Sequence, residues 1–573
     1  MTRLLDRVDS PKALRSLEPR LLPTLCGELR EEIVRVCGLV GGHLGASLGA
    51  VELIVALHRV FRSPVDRLVF DVGHQAYAHK LLTGRRERMA TLRQAGGIGP
   101  FLDPQESEHD AFMAGHACTA ISAALGILEA KVQQGQVGEV VAVVGDGALT
   151  GGLAFEGLNN VGYGQRRLKI VLNDNGMSIS KNVGAVERLL RTDARRFFES
   201  LGFVYLGPVD GHSIPSLVEA FGEARACHRP VLVHVLTQKG RGFEPAEADA
   251  STKGHAMGPW ELRDGKLVRS RGGLATFSDA FADALEGRMA KEPKLVVVTP
   301  AMLEGSSLAG LKERFPERVF DVGIAEQHAV TWAAGAAHGG LKPVVCLYST
   351  FLQRSYDQIV HDVVLPGLGV VFAVDRAGLV GADGATHQGA FDVGLLSALP
   401  GLHLAAATVG RDVDELLGFA LSRQGPSVIR FPRGTLPVEP EGLASAVSAR
   451  WLRRVEAPRL AFVTLGPVGL AALEASAGEP WSVLDAVHLP LDEAALLEAA
   501  HTPVITVEEG AVRGGLGSAV LELLAQKGLA TRVRVLGLPA DRFVRHGEAR
   551  AQRAELGLDV AGLQRVAREV LET

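Results

Sequence analysis

The chain has 573 residues, of which 47% are hydrophobic and 22% charged, and its formal net charge is -5. This length allows several domains with large buried cores, and this charge provides no basic face for binding nucleic acid. The five cysteines include no CxxC pair, the N-terminus lacks a signal-peptide core, and no apolar run approaches a membrane span, so we expect a cytoplasmic protein with no membrane partner.

Short apolar runs of strand length recur along the chain. Segments such as VELIVALHRVF and GLGSAVLELLAQ have apolar residues at helical spacing instead. Strands that alternate with helices form parallel sheets covered on both faces, so we predict an α/β fold with doubly wound sheets. In chain order, we predict buried strands at 139–144, 169–172, 231–236, 295–298, 343–347, 369–374, 427–430, 459–464, 503–507 and 532–536.

Two breaks interrupt this pattern and divide the chain into three predicted domains. The stretch LRDGKLVRSRGG at 262–273 is polar and rich in glycine, and LPVEPEGLASAVSAR at 436–450 carries two prolines without a strong strand pattern. We therefore predict α/β domains at 1–267, 268–440 and 441–573.

Two of the predicted strands end in clusters of small polar residues, GDG at 145–147 and NDN at 173–175. Ligands of parallel α/β sheets bind beyond the carboxyl ends of the strands. Asp146 offers a hard carboxylate and Asn175 an amide oxygen, which suits Mg²⁺ with a phosphate completing its coordination. Gly145 and Gly147 allow the backbone to approach that phosphate closely.

Two other motifs compete with this interpretation. GDGALT resembles the dinucleotide-binding pattern GxGxxG, but Thr150 replaces the third glycine, and the second strand ends in NDN rather than in one ribose-binding acid. GASLG at 45–49 spells the nucleophile elbow of serine hydrolases, but the residues before it, CGLVGGHL, do not form the strand that this elbow requires. The combination of GDG and NDN, each after a strand, is instead typical of thiamine diphosphate enzymes.

Further stretches carry a more specific resemblance. They are GGHLGASLGAVEL, FDVGHQAYAHKLLTGR, GDGALTGG, NDNGMSIS, GPVDGH, VTPAM, DVGIAEQHAV, YSTFLQRSYDQ, DRAGLVGADGATHQGAFD and RFPRG. From about residue 30 to 570 the chain resembles the 1-deoxy-D-xylulose-5-phosphate synthases, a family of transketolase-type thiamine diphosphate enzymes. This resemblance implies a diphosphate-binding, a pyrimidine-binding and a C-terminal transketolase-like domain, and a homodimer.

The resemblance also implies the site residues. Catalytic roles are expected for Glu326, His43, His74 and His387. Binding of thiamine diphosphate is expected from His74, Gly115, His116, Asp146, Gly147, Ala148, Asn175, Glu326 and Phe351. Ligands of Mg²⁺ are expected to be Asp146, Asn175 and Met177. Substrate binding is expected from Ser47, Tyr348, Arg354, Arg376, Asp383, His387 and Arg433.

The chemistry of these residue types agrees with such roles. A carboxylate at Glu326 would favour the tautomer of the aminopyrimidine whose nitrogen acts as a base, and Phe351 would stack on that ring. The three histidines lie in glycine-bearing stretches rather than on apolar helix faces, and the individual role of each stays open. Arginines such as Arg376 and Arg433 bind phosphate through paired hydrogen bonds. At the cofactor loop GHACTA, Ala120 cannot supply the hydroxyl usual in the family.

The implied reaction joins pyruvate, with loss of CO₂, to D-glyceraldehyde 3-phosphate and gives 1-deoxy-D-xylulose 5-phosphate, a precursor of isoprenoids, thiamine and pyridoxal. A transketolase that moves two-carbon units between sugars is the alternative enzyme, and a protein that binds the cofactor without turnover is an alternative of another class. One departure from the family is a markedly shorter segment between NVGA at 182–185 and GPVDGH at 207–212.

Overall fold

A computed structural model describes residues 3–178, 181–255, 257–263, 266–269 and 274–572. The chain forms two compact units, one of Met1–Gly272 with Gly323–Ala325 and one of Gly273–Val322 with Glu326–Thr573. No helix in the described part of the chain is long and apolar enough to cross a membrane.

The first unit is built on a parallel sheet of the order β1-β2-β3-β5-β4. Its strands are β1 (Arg67–Phe70), β2 (Val140–Gly145), β3 (Lys169–Asp174), β4 (Val204–Asp210) and β5 (Val231–Leu236), followed by an antiparallel hairpin of β6 (Trp260–Arg263) and β7 (Lys266–Arg269). Its helices are α1 (Pro11–Ser16), α2 (Leu22–Val40), α3 (Leu44–Gly49), α4 (Val51–Val60), α5 (Tyr77–Lys80), α6 (Ala120–Gln133), α7 (Asp146–Leu149), α8 (Gly152–Gly164), α9 (Ala185–Thr192), α10 (Ala194–Ser200), α11 (Ile214–Ala226) and α12 (Glu244–Ala248).

Helices cover both faces of this sheet, as expected for a doubly wound fold. Val141 and Val143 of β2 pack in one core with residues of α2, α4 and α11. The alternate residues Ala142 and Val144 pack on the other face with residues of α6 and α8. Because successive side chains of a strand point to opposite faces, the continuous apolar run in β2 follows from burial on both sides.

The second unit contains two sheets. Its strands are β8 (Leu295–Thr299), β9 (Val319–Asp321), β10 (Lys342–Tyr348), β11 (Val371–Asp375), β12 (His403–Ala406), β13 (Ser427–Arg430), β14 (Arg450–Arg453), β15 (Leu460–Leu465), β16 (Trp481–Asp485), β17 (His488–Leu489), β18 (Val504–Ala511) and β19 (Val533–Leu538). The sheet orders are β17-β12-β13-β11-β10-β8-β9 and β14-β16-β15-β18-β19. Only β17 and β14, each at a sheet edge, pair antiparallel among the described strands of these sheets.

The helices of the second unit lie between and around these sheets. They are α13 (Phe277–Met289), α14 (Ala309–Arg314), α15 (Glu326–His338), α16 (Ser349–Leu352), α17 (Tyr356–Gln358), α18 (Asp392–Leu396), α19 (Gly410–Ser422), α20 (Val468–Ala475), α21 (Glu493–Ala499), α22 (Leu516–Gln526), α23 (Ala549–Glu555) and α24 (Val560–Glu572). One core cluster includes strand residues of both sheets, such as Val345 and Val463, so this unit is held together by a shared apolar interior.

Every predicted strand overlaps an observed strand, and the predicted parallel α/β architecture is confirmed. The prediction missed β1, β4, β9, β12, β14, β16, β17 and the hairpin. The hairpin lies partly in the break predicted at 262–273, of which 264–265 and 270–273 are outside the described residues. Edge strands such as β4 escape detection because only some of their residues are buried, which breaks the apolar run.

Candidate active site

The GDG motif forms the turn between β2 and α7. Asp146, the first residue of α7, is 1% exposed, and burial together with the nearby charge of Asp174 raises its pKa to about 7. One carboxylate oxygen accepts the Asn175 backbone N–H at 3.4 Å, and the other accepts Asn182 Nδ2 at 3.1 Å. In the described part of the chain, a Cβ at Gly145 would meet nothing within 4 Å, so this turn is open to a ligand.

The NDN motif lies beside GDG because β2 and β3 are neighbouring parallel strands. Their register pairs Gly145 with Asn173, so both strands end at the same edge. Asn175 Oδ1 accepts the Met177 backbone N–H at 3.1 Å. Ser178 follows so closely that a Cβ at Gly147 would lie 2.9 Å from the Ser178 Cβ, which makes glycine necessary at 147. The two motifs are therefore one local structure.

This arrangement fits a magnesium ion. The described residues contain no cluster of three or more His, Cys, Asp or Glu side chains that could hold a metal. A site with one carboxylate, one amide and the rest from phosphate and water suits Mg²⁺. The buried Asn182 Oδ1 has no hydrogen-bond partner among the described residues, next to Asp146, and so can accept from a metal-bound water. Met177 would ligate through its carbonyl oxygen, because a thioether is a poor ligand for a hard cation.

The loop before α6 carries the predicted residues Gly115 and His116, and its backbone is held by a residue that the sequence did not single out. Asp71 accepts the backbone N–H groups of Cys118 at 2.8 Å and of Ala120 at 3.0 Å. Cys118 adopts a φ of 75°, and its sulfur occupies the space that a side chain at Gly151 would need. The absence of a hydroxyl at Ala120 therefore leaves the loop conformation intact.

Three histidine rings form a second group in this unit. The ring centroid of His43, which precedes α3, lies 6.2 Å from that of His74 and 5.8 Å from that of His255. Burial lowers the pKa of His74 to about 3 and that of His255 well below its usual value, so both rings are neutral near pH 7. Ser47 in α3 donates to the His74 carbonyl oxygen at 3.0 Å. The glycine before His255 was its only signal in the sequence.

Lys239 is a further residue that the sequence analysis missed. Its side chain is 3% exposed and donates to the Ser178 carbonyl oxygen at 2.8 Å. Burial lowers its pKa to about 7, although Asp146 and Asp249 act in the opposite direction. The lysine follows β5 in the sequence QKGRG, where the glycines are the visible signal and the cation is not. It adds a positive charge near the GDG and NDN motifs.

In the second unit, Glu326 is the first residue of α15 and is 3% exposed. Arg354 NH1 donates to Glu326 Oε2 at 3.2 Å. The structure thus brings together a predicted catalytic acid and a predicted substrate-binding arginine. This ion pair holds the Glu326 carboxylate in one orientation.

The aromatic residues of YSTFLQR lie at a strand–helix junction. Tyr348 ends β10, and α16 begins directly at Ser349, so Phe351 is helical. The Tyr348 and Phe351 rings stack with centroids 5.5 Å apart, and the His387 ring meets Phe351 edge-on, also at 5.5 Å.

The remaining predicted residues form an ionic group in the same unit. The Arg376 guanidinium lies over the Tyr348 ring, and burial raises the pKa of that tyrosine to about 12. Arg433 NH1 donates to Asp383 Oδ2 at 3.2 Å and to the Val380 carbonyl oxygen at 3.3 Å. Tyr348, Arg376, Asp383 and Arg433 thus combine fixed positive charge with polar groups, which suits a phosphorylated ligand.

Comparison with known proteins agrees with this geometry. A family model described as 1-deoxy-D-xylulose-5-phosphate synthase matches residues 5–196 and 191–237. Models of the transketolase pyrimidine-binding domain and of the transketolase C-terminal domain match residues 274–439 and 443–563.

Full-length relatives give the same result. The chain is 67% identical to a 1-deoxy-D-xylulose-5-phosphate synthase of Myxococcus xanthus over 99% of this chain and 98% of the relative. Proteins of the same name from Anaeromyxobacter sp. strain Fw109-5 and Anaeromyxobacter dehalogenans strain 2CP-C are 49% and 48% identical, each over 100% of this chain and 99% of the relative.

Proposed function

The chain belongs to the 1-deoxy-D-xylulose-5-phosphate synthase family, and on this premise we propose its reaction and the role of each site residue. The enzyme decarboxylates pyruvate with thiamine diphosphate and condenses the remaining two-carbon unit with D-glyceraldehyde 3-phosphate. The products are 1-deoxy-D-xylulose 5-phosphate and CO₂. The observation that carries this proposal is the strand register that sets GDG beside NDN, because it joins a carboxylate, an amide oxygen and an open glycine turn.

Residues of the first unit bind the diphosphate end of the cofactor and Mg²⁺. Asp146, Asn175 and the Met177 carbonyl oxygen are the protein ligands of the cation. The open turn at Gly145 accepts the diphosphate. Lys239 adds a positive charge that offsets the phosphate charge, and the lysine becomes fully protonated when anionic oxygens lie nearby.

Glu326 and Phe351 bind the aminopyrimidine. The Glu326 carboxylate accepts a hydrogen bond from the ring, and Arg354 holds that carboxylate in place. Phe351 offers its face for stacking, in an orientation fixed by Tyr348 and His387. Bound thiamine diphosphate supplies a thiazolium that accepts the electron pair left when pyruvate loses CO₂.

The imidazoles of His43 and His74 orient pyruvate. A neutral ring can donate to the pyruvate carbonyl or carboxylate oxygen from one nitrogen and accept from the other. Because burial disfavours the imidazolium of His74, this ring can accept a proton only when a negative charge develops beside it. Ser47 positions His74 by donating a hydrogen bond to the His74 backbone carbonyl oxygen. His387 lies beside Phe351 and serves the acceptor aldehyde in the same way.

Arg376 and Arg433 bind the phosphate of the acceptor, and Tyr348 and Asp383 hold the two guanidinium groups in place. The Arg376 guanidinium packs on the face of the Tyr348 ring, whereas the Asp383 carboxylate accepts a hydrogen bond from Arg433. A guanidinium has five N–H donors in a planar arrangement, which suits binding of a phosphate.

The homodimer, the domain boundaries at 1–267, 268–440 and 441–573, and a cytoplasmic location stay predictions. The matches of the two transketolase domain models to residues 274–439 and 443–563 support the boundaries.

Identification of the product tests the proposal. The chain should release labelled CO₂ from carboxyl-labelled pyruvate and form 1-deoxy-D-xylulose 5-phosphate only when glyceraldehyde 3-phosphate, thiamine diphosphate and Mg²⁺ are all present. A transketolase would instead convert ketose phosphate donors without release of CO₂, and a protein without turnover would bind the cofactor and form neither product. Either outcome would contradict the proposed reaction.

A further inference from the structure

A chain of three hydrogen-bonded side chains connects the edge of the first unit's sheet to the NDN motif. The Tyr205 hydroxyl of β4 lies 2.7 Å from His234 Nδ1 of β5. His234 Nε2 lies 2.9 Å from Asp174 Oδ2 at the end of β3. The three residues lie on consecutive strands of the sheet, in the order β3-β5-β4. This series of hydrogen bonds therefore runs across the sheet and ends at Asp174, one residue before Asn175.

The hydrogen bonds of this chain have a fixed direction. The Asp174 carboxylate accepts, and its other oxygen accepts the Gly176 backbone N–H at 3.1 Å. His234 must therefore donate from Nε2, which leaves Nδ1 to accept from the Tyr205 hydroxyl. His234 is 1% and Tyr205 is 5% exposed, so water does not compete effectively for these bonds. Buried networks of this kind hold their members in one arrangement.

Helix α10 covers the Tyr205 end of this series of hydrogen-bonded side chains. The Arg195 guanidinium lies 5.0 Å from the Tyr205 ring centroid, and the Phe198 ring stacks on Tyr205 with centroids 6.2 Å apart. Both residues belong to the segment that is short in this sequence. The short segment is thus sufficient to bury Tyr205.

The Asp174 end of this hydrogen-bonded series determines which side chain of the NDN motif faces the cation. Both Asp174 oxygens are used within the protein, one by His234 and one by Gly176. Thr237, also beyond β5, donates to Asn173 Oδ1 at 2.5 Å, so the first two side chains of NDN are both bound to the β5 side. Asn175 follows these two residues and lies beside Asp146. The Asn175 backbone N–H donates to the Asp146 carboxylate.

We propose that Tyr205 and His234 are positioning residues, which bind Asp174 so that the NDN turn offers Asn175 to the cation beside Asp146. The inference rests on the proposed function of GDG and NDN in binding Mg²⁺ and diphosphate. Without the His234 bond, one Asp174 oxygen is released, the turn loses one of its side-chain anchors to β5, and Asn175 is held less firmly. Partners that orient metal ligands in this way typically contribute about 10- to 100-fold in metal affinity.

Four variants test this role, with Mn²⁺ as a spectroscopic substitute for Mg²⁺. In His234→Ala the bond is lost, in His234→Gln an amide N–H can still reach Asp174, and in Tyr205→Phe only the outer hydroxyl is removed. Tyr163→Phe is the control, because Tyr163 in α8 is 92% exposed. The affinity for Mn²⁺ is measured by calorimetry with thiamine diphosphate present, the coordination by electron paramagnetic resonance, and the unfolding temperature without cation.

We expect His234→Ala to bind Mn²⁺ roughly 10- to 100-fold more weakly with an altered spectrum, and His234→Gln to recover most of the affinity. Tyr205→Phe should show a smaller loss, and Tyr163→Phe none. Wild-type affinity in folded His234→Ala would overturn the proposal, as would a lower unfolding temperature with unchanged affinity. If His234→Ala does not fold, unchanged affinity in Tyr205→Phe overturns it. Failure of the wild type to bind Mn²⁺ with the cofactor would instead refute the proposed function, and this inference with it.

Discussion

The guanidinium carbon of Arg376 lies 3.8 Å from the centroid of the Tyr348 ring. Arg376 has a φ of 58°, a conformation uncommon for a residue with a side chain, and Asp375 Oδ1 accepts its backbone N–H at 2.7 Å. Ser278 in turn donates to the other oxygen of Asp375 at 2.9 Å. The backbone and the ring thus fix one arginine in a position from which its outer N–H groups can bind a phosphate.

Arg376→Ala and Arg433→Ala should weaken the use of glyceraldehyde 3-phosphate and leave pyruvate addition largely intact. A hydrogen bond to a charged group is worth about 1.5–3 kcal/mol, so we expect a roughly 10- to 100-fold lower kcat/KM for the acceptor per arginine. The variants should also discriminate less between glyceraldehyde 3-phosphate and glyceraldehyde. Steady-state kinetics with each substrate varied is the measurement, and an equal loss for both substrates would contradict a phosphate-binding role.

Glu326→Gln should keep cofactor binding and lose activation of the cofactor. The amide has the size of the carboxylate but cannot accept a proton, and acid–base catalysis typically contributes about 10²- to 10⁴-fold. We expect exchange of the thiamine C2 proton with deuterated water, followed by NMR, to slow by at least about 100-fold. Glu317→Gln, at an exposed position of the same unit, is the control. Wild-type exchange in Glu326→Gln would exclude the proposed role.

Gly305→Ala should displace Tyr348 and with it the support of Arg376. A Cβ at Gly305 would overlap the Tyr348 hydroxyl oxygen. Overpacking of this kind costs about 1–3 kcal/mol of folding free energy, and we expect a higher KM for glyceraldehyde 3-phosphate as well. Gly310→Ala is the matched control, because a Cβ at Gly310 in α14 meets nothing within 4 Å in the described part of the chain. Equal kinetics for the two variants would show that Tyr348 does not support the acceptor site.

Arg450→Met should strongly destabilise the second unit. Arg450 is 3% exposed and donates to Asp412 at 2.6 and 2.8 Å and to Asp485 at 3.1 Å. Removal of this cation leaves two buried carboxylates unpaired, at a cost of about 3–5 kcal/mol. Arg454→Met removes a pair with Glu498 in which the arginine side chain is 65% exposed, and should cost at most about 1 kcal/mol. Urea denaturation compares the two, and similar midpoints would contradict the difference.

His403 makes the protein less stable in acid. Burial and the nearby His488 lower the pKa of His403 to about 4, whereas a histidine in an unfolded chain has a pKa of about 6.5. Between these values the unfolded state binds more protons, so the free energy of unfolding falls as pH drops from about 6.5 to about 4. His403→Gln can still donate to His488 and cannot titrate, so its slope in this range should be smaller by up to about 1.4 kcal/mol per pH unit. Equal slopes in urea denaturation at several pH values would contradict this.

The sequence predicted strands that follow one rule, namely that burial on both faces makes a strand a continuous apolar run. Strands buried on both faces, such as β2, are continuous apolar runs, and their carboxyl ends carry the ligands, so GDG and NDN could be found as a pair. β4 escaped because its pattern mixes buried and exposed residues. No turn residue marks the start of α16, so the sequence does not show that β10 passes directly into a helix at Tyr348.

The sequence also did not identify single residues that support the candidate site from other elements. Asn182, Lys239 and His255 reach their positions only through folding, and each lacks a local motif that distinguishes it from ordinary polar residues. Their partners lie on other elements, so periodicity within one segment carries no information on them. The resemblance identified residues that belong to recognisable stretches, and the structure adds those that do not.

Asp71 holds the loop before α6 through the main chain of Cys118 and Ala120. Every residue except proline offers the same N–H group, so these two hydrogen bonds do not depend on the side chains at 118 and 120. Burial of both residues and the positive φ of Cys118 limit which side chains fit at these two positions, whereas a change at Asp71 removes both anchors at once. The residue that decides whether a related sequence preserves this loop lies in β1's carboxyl-terminal turn, outside the loop itself.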